Sequence, residues 1–341
     1  MLRVYYTSPP GTENGVEKQD ITDYVLSETW SGGIDQAARK LEFSIAYTTP
    51  DKDIAFIPLN LELGGMVNAS YVDDDGVETP IFQGRIFFRK RASDTYTFEF
   101  TCYDDMVYLA KSNVRANFKD VDVTAAIKQV CSMIGLTVSD KIPAISTVVN
   151  FIADDKSGTE VLKMLFDNAK ADSGKEYMAV SINGKITVVE KGEAVENYVA
   201  DSSANVISSE HSESLEDMVD RVEAVGDDGT VGQVFTNNDD IKFYGTIQQI
   251  YKMKPPASGE TVDNVKAARA MLKRPKEESS LKALGNIQCI SGWTITVQEE
   301  QLKGKFFIKS DTHHFENSMH TMDLTLEYTG PVEEASNEEN G

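Results

Sequence analysis

The sequence predicts a mainly β chain with an α+β insert, on three observations. The opening third alternates apolar and polar residues with a period of two, the middle switches to helical spacing, and alternation returns in the closing third.

The stretch KLEFSIAY sets Leu41, Phe43, Ile45 and Tyr47 against Glu42, Ser44 and Ala46, and TYTFEFTCYD repeats the pattern with Tyr96, Phe98, Phe100 and Cys102. Successive strand side chains point to opposite faces, so both stretches predict half-buried antiparallel strands. Between them GGMVNASYVDDDGVETPIFQGRIFFRK predicts strand, turn, strand, because Asp and Gly in DDDG tolerate the left-handed backbone of a tight hairpin. After Asn113 the spacing changes. DVTAAIKQVCSMIG places Ile127, Val130, Cys131 and Ile134 on one helical face and stops at Gly135. SGTEVLKMLFDNAKADSG opens with Ser157 and Glu160 as a capping box and aligns Val161, Leu162, Leu165, Phe166 and Ala169. EYMAVSINGKITVVEK then predicts a hairpin turning at Asn183–Gly184.

From about Val195 strands return. SLEDMVDRVEAVGDDGTVGQVF predicts strand and turn, TVDNVKAARAMLKRP a helix ended near Pro275, and EESSLKALG a short second helix ended by Gly285. QCISGWTITV and the segment Lys305 to Tyr328 read as further strands. The closing PVEEASNEENG has nothing apolar to bury and predicts a frayed tail.

The chain has 341 residues, 40% of them hydrophobic, which suffices for a well-buried interior in about two or three domains. Acidic residues outnumber basic ones 55 to 33, and the net charge of -22 repels a phosphate backbone, so nucleic acid is not expected as a partner. No apolar run reaches the roughly 20 residues of a membrane helix, and the start, MLRVYYTSPPG, has no signal-peptide pattern, so neither insertion nor export by that route is expected. Cys102, Cys131 and Cys289 are far apart and form no CxxC, which suggests neither a disulfide framework nor a thiolate metal site, and a cytosolic site of synthesis.

Three of the four histidines, His313, His314 and His320, gather near the end. His313 and His314 are neighbours on a strand and cannot both turn inward; His314 and His320, across a turn near Asn317, are expected to approach. Two imidazoles are too few for zinc, and Asp311 or Asp323 would have to supply a third ligand in a spacing that matches no ligand signature. A hydrogen-bonded hairpin corner is the simpler expectation. VDDDGVE (Val72 to Glu78) and GDDGT (Gly226 to Thr230) lack the alternating Asp spacing of a calcium loop and read as turns. GxSxG, HExxH and GxxxxGK[ST] are missing, and His211 lies in a polar, loop-like stretch with no orienting third group. Cys131 lies on an apolar helix face, as packing. No catalytic, cofactor-binding or metal residue is therefore assigned, and no cofactor is implied.

Taken together, SETWSGGIDQAARKLEFSIAY, IFQGRI with FEFTCYDDMVYLAKS, the helix, helix, hairpin run from VTAAIKQVCSMIGL to SINGKITVVE, and the stretches SLEDMVDRVEAVGDDG and ARAMLKRPKEESSLKALGNIQCISGWTITVQEEQLKGKFFIKSDTHHF resemble the baseplate hub proteins of contractile phage tails, tailocins and phage-like elements, the XkdQ-like and late-control-protein-D-like group. The resemblance implies two tube-like antiparallel β-barrel domains, 1–112 and 195–330, the latter with a helical excursion near 260–285. They flank a helix-helix-hairpin module, 113–194, and a disordered acidic tail, 331–341, follows. It implies a histidine at the hairpin corner, a place that His313 or His314 would fill. It also implies a non-enzymatic homotrimer adapting a six-fold tail tube to a three-fold spike in the baseplate of the assembled particle, with spike, tube, tape-measure and other baseplate proteins as partners. The rivals are a tail-associated cell-wall hydrolase using the histidine hairpin or scattered carboxylates, and a free-standing binding module.

Overall fold

The computed structural model describes residues 1–13, 15–46, 59–94, 96–226, 228–253, 263–316 and 319–331. The expected turn near Asn317, the start of the helix at 261–262, Asp227 of GDDGT and nearly all of the expected tail lie outside them.

The first region is built of β1 (Leu2–Thr7), β2 (Gln19–Asp20), β3 (Val25–Gly33), β4 (Lys40–Ala46), β5 (Met66–Val72), β6 (Glu78–Ala92) and β7 (Thr97–Tyr103). Period-two burial is clean in β4, where Leu41, Phe43 and Ile45 are buried, and these residues join Val4, Trp30, Val67, Phe82, Phe100 and Cys102 in one core. The DDDG turn forms as expected: Asp73 Oδ1 accepts from Val77 N at 2.8 Å and Gly76 takes φ +80°. Ser31 and Gly32 are strand residues of β3.

The insert runs α1 (Met106–Lys111), β8 (Asn113–Asp122), α2 (Val123–Ile134), β9 (Val148–Ser157), α3 (Gly158–Ser173), β10 (Tyr177–Ile182) and β11 (Lys185–Glu190). Asp122 caps α2 and Gly135 ends it at φ +77°; Ser157 and Glu160 form the reciprocal capping box of α3. Ile127, Val130, Cys131, Val161, Leu162, Leu165 and Ala169 are all buried in a core of their own. The β8–β9 pair was not expected. Val114, Ala116 and Phe118 alternate inward along β8 to cover the same core.

The chain continues through β12 (Ala194–Asp201), β13 (Val206–Ser214), β14 (Arg221–Val225), β15 (Val231–Thr236), α4 (Asn238–Tyr244), β16 (Gln248–Lys252), α5 (Asn264–Arg269), β17 (Lys276–Leu284), β18 (Thr294–Gln298), β19 (Lys303–Glu316) and β20 (Met319–Gly330). By contacts, 210–279 forms a compact unit of its own, with the sheet order β15-β14-β16 and a small core of Val219, Val222, Ala224, Phe235 and Ala268. The other unit comprises 1–209 and 280–341.

Within 277–285 the expected second helix is a strand. Ser279, Leu281 and Ala283 are buried with period two, so tertiary pairing in β17 overrides the helix-forming composition. A third large core gathers Val195, Leu281, Ile295, Phe306, Ile308, Met322 and Leu324. The two β-rich regions thus keep separate cores, yet they share one sheet, ordered β13-β17-β20-β19-β3-β4-β7-β6-β5-β1-β2. The join is β19 against β3, antiparallel from Ser310↔Gly33 to Phe315↔Glu28. The expectation of wholly antiparallel pairing is also corrected, since β12 with β18 and β14 with β16 are parallel.

Candidate functional site

The polar centre of the molecule lies on that join. Asp311 and His313 of β19 are 1% and 0% exposed, and their registers place them opposite Gly32 and Trp30 of β3. Arg39, just before β4, reaches across: its Nη1 donates to Asp311 Oδ1 at 3.0 Å and its Nη2 to Oδ2. Gly32 makes the crossing possible, since a Cβ there would stand 2.4 Å from Arg39 Nη1. The guanidinium lies 4.2 Å over the Trp30 ring, and that ring is 5.0 Å from His313. Asp311 Oδ1 accepts a further bond from Ser291 N at 2.7 Å. Burial alone would raise the Asp311 carboxyl, but Arg39 and His313 outweigh it and hold the group below the usual carboxylate range.

His313 Nε2 faces only acceptors, Cys289 O at 3.2 Å and Asp311 Oδ2 at 3.4 Å, so it carries a hydrogen. Its Nδ1 lies 3.0 Å from His320 Nε2. The His320 ring stacks on Phe315 at 4.3 Å, sits 5.4 Å from Tyr71, and covers Gly285 so closely that a Cβ there would meet it at 2.1 Å. Burial first, then the neighbouring His313, lower His320 to about 3, so the ring is neutral. Its Nδ1 has no partner among the described residues, as a neutral ring permits.

The expected His314–His320 approach is therefore corrected. Glu316 pairs with Met319, a register that sets His320 opposite Phe315 and on the inner face with His313. His314 instead bonds Asp323 on the outer face, Nε2 to Oδ2 at 2.9 Å. Asp311 and Asp323, the two carboxylates nearest the histidines, serve different imidazoles on opposite faces. Among the described residues no three His, Cys, Asp or Glu are grouped to hold a metal ion.

His211 is on β13, not in a loop. Its Nδ1 is 3.0 Å from Ser279 Oγ and its Nε2 4.0 Å from Glu213 Oε1, an arrangement with the parts of a nucleophile, base and carboxylate. Ser279 is only 5% exposed, which denies its Oγ the approach to a substrate carbonyl that acyl transfer requires. The three cysteines are buried, and burial pushes each thiol up, Cys131 to about 11, away from reactivity. In GDDGT, Asp228 is spent on Thr230 N and Oγ within the turn.

Beside the Arg39–Asp311 pair opens a cavity of about 360 Å³ lined by Trp30, Ile81, Met106, Met178, Ile290 and Trp293. Asp104 borders it; burial first raises its carboxyl, to about 7, against the pull of its bond from Met106 N at 3.0 Å and of Arg39. Sequence reading missed this centre. Only the parity that Asp311 and His313 share with Phe315 could have marked it, and the irregularity between Ile308 and Ser310 puts that parity out of phase with Phe306 and Ile308.

No helix among the described residues is long and apolar enough to cross a membrane. A family model described as YQBQ-like matches residues 28–327, which include every residue of the polar centre. The Bacillus subtilis (strain 168) protein YqbQ is 25% identical over 262 residues, covering 72% of this chain and 77% of its own. The phage-like element PBSX protein XkdQ of the same organism is 22% identical over 253 residues, with the same shares covered. Among solved structures, the 43 kDa tail protein of prophage MuSo2 from Shewanella oneidensis has the same fold, with a TM-score of 0.64 at 13% identity over 96% of this chain and 98% of that one.

Proposed function

The chain belongs to the YQBQ-like family, and we propose from there that it is a structural baseplate protein of a contractile phage tail, tailocin or phage-like particle, and specifically its hub. Three copies form a ring in which each contributes two tube-like β domains, 1–112 and 195–330, with the module 113–194 between them and the acidic tail 331–341 beyond. The ring adapts the six-fold tail tube to the three-fold spike and also contacts tape-measure and other baseplate proteins. It binds no specific nucleic acid and inserts into no membrane.

The observation that carries this reading is kinship, over 72% of the chain, with a protein of the phage-like element PBSX. The internal layout supports it. Two separate cores on one shared sheet suit a subunit that presents two similar units to a ring, and ring closure covers strand edges that would otherwise pair at random. Its action is geometric: interfaces fix symmetry and register, and no bond is made or broken. The burial of Asp311 and His313 argues against a hydrolase built on that pair.

The test is light scattering of this chain co-expressed with its neighbouring spike gene, followed by negative-stain class averages. The expected result is the mass of three 37.7 kDa chains plus spike, and a three-fold ring with a central hole. A chain that stays monomeric where the spike itself trimerises overturns the hub.

A further inference from the structure

The hairpin β10–β11 turns through Asn183 and Gly184, at φ 50° and 70°, so the two-residue loop makes Ile182 and Lys185 its first hydrogen-bonded pair. Alternate residues follow. Met178 and Val180 bond across to Val189 and Thr187, and the backbone groups of Ala179 and Ser181 point the other way. On β11 the outward groups of Ile186, opposite Ser181, are occupied: its N donates to Thr137 O and its carbonyl accepts from Ser139 N, both at 2.8 Å. On β10 they are not. Among the described residues β10 pairs with β11 alone, and the amides of Ala179 and Ser181 donate to nothing.

The 360 Å³ cavity runs along this open edge from Met178 to Asn183, a span of about 17 Å at strand rise. Its far wall is Thr79–Ile81 of β6, upstream of Arg85, where the ladder to β7 begins, so β6 pairs there with β5 on one side only. Trp30, Trp293 and Ile290 supply apolar surface. The cation in the lining, Arg39, is already bound to Asp311, which leaves no free positive charge to hold a carboxylate or phosphate. Unused ladder groups between apolar walls match an uncharged extended backbone.

We propose that this cavity seats an extended peptide segment with aliphatic side chains, supplied by another polypeptide and added to β10 as a strand. Main-chain bonds to Ala179 and Ser181 hold it, and its alternate side chains enter the wall of Trp30, Ile81 and Trp293.

Trp30 and Trp293 are the chain's two tryptophans, so intrinsic fluorescence of the full chain reports occupancy. The probe is a pooled set of acetylated, amidated five-residue peptides alternating Thr with Val, Ile, Leu or Phe, titrated to millimolar concentration beside the same set N-methylated on alternate amides. The expected result is a saturable tryptophan shift, at least tenfold weaker for the N-methylated set, with slowed hydrogen exchange of the Ala179 and Ser181 amides. Ala179→Pro removes an outward N–H that the hairpin does not use and should weaken binding at least tenfold with unchanged far-ultraviolet circular dichroism. If that variant misfolds, the exchange protection in the native chain decides alone. No shift from any peptide, or equal binding of both sets, overturns the proposal; the latter outcome would make the cavity a general apolar site instead.

Discussion

Changing Asp311 to Asn removes the charge at the centre of the join and leaves its shape. In the native protein the carboxylate accepts from both Arg39 nitrogens, from Ser291 N at 2.7 Å and from the protonated side of His313. The Asn amide turns one acceptor into a donor that faces either Arg39 or His313. Arg39, with only 14% of its side chain exposed, keeps its charge and loses its partner. Stranding one member of a buried pair costs about 3–5 kcal/mol, and nothing here reduces that figure, because the Trp30 face under the guanidinium offsets at most about 2 kcal/mol and is present in both proteins. Arg39→Met should cost about 3 kcal/mol, since Ser291 and His313 still serve the carboxylate. The double variant strands no charge and should cost less than the sum by about 2 kcal/mol or more. Urea unfolding followed by tryptophan fluorescence gives all four corners of the cycle, with Trp30 inside the affected contact. Single costs below about 1 kcal/mol, or additivity within about 0.5 kcal/mol, would refute the view that Arg39, Asp311 and His313 act as one unit.

Acid should weaken the protein through His320: its folded value of about 3 lies below the unfolded value near 6.5, so stability is full above that pH and declines as pH falls toward 3. The slope is at most about 1.4 kcal/mol per pH unit, trimmed to a total of about 2–3 kcal/mol by the ring's partial exposure. His320→Gln, which can still bond His313, should lack that component, and parallel pH profiles for the two proteins would contradict it. Asp104 works in the opposite sense. Its raised value of about 7 gives stability that is complete below about 4 and is lost as pH rises to 7, so Asp104→Asn should gain on the native chain by about 1.4 kcal/mol per unit across that window. A constant difference from pH 4 to 8 counts against it. Gly285→Ala should destabilise by about 1–3 kcal/mol in thermal unfolding, because the new methyl meets a His320 ring held between Phe315 and Tyr71; a neutral result would mean that the ring can move.

What the sequence disclosed and what it hid divide by range. Leu41, Phe43 and Ile45 alternate within one strand, Ser157 and Glu160 are three apart, and Asn183–Gly184 is a turn in itself, so neighbours along the chain suffice to predict each. The strand at 276–284 failed because its residues favour helix locally, and only pairing with distant strands imposes the two-residue period. The histidine contact failed for a subtler reason. Whether His314 or His313 meets His320 depends on the register across the hairpin, and a shift of one residue exchanges the faces. Arg39 and Asp311 are 272 positions apart, and no periodicity links them.

That distance bears on how the molecule is completed. The first core contains Phe315 as well as residues from 2 to 102, and β3 has its second neighbour only in β19. Until the last forty residues arrive, β3 is an open edge beside an unfinished core, with Arg39 unpaired and Trp30 lacking His313. Such an edge is a site for wrong partners, and non-local pairing of this kind forms late. The insert is free of that constraint, since its core closes with residues from 106 to 188. A buried, directional cluster at the last join discriminates better than an apolar one. A slipped β19 that still buried aliphatic side chains would strand Asp311 and Arg39 apart, at a cost of several kcal/mol. The cluster thus favours one register of the strand that ties the two β regions together, and for a subunit whose proposed work is to hold two units at a fixed spacing in a ring, that register is what the function needs.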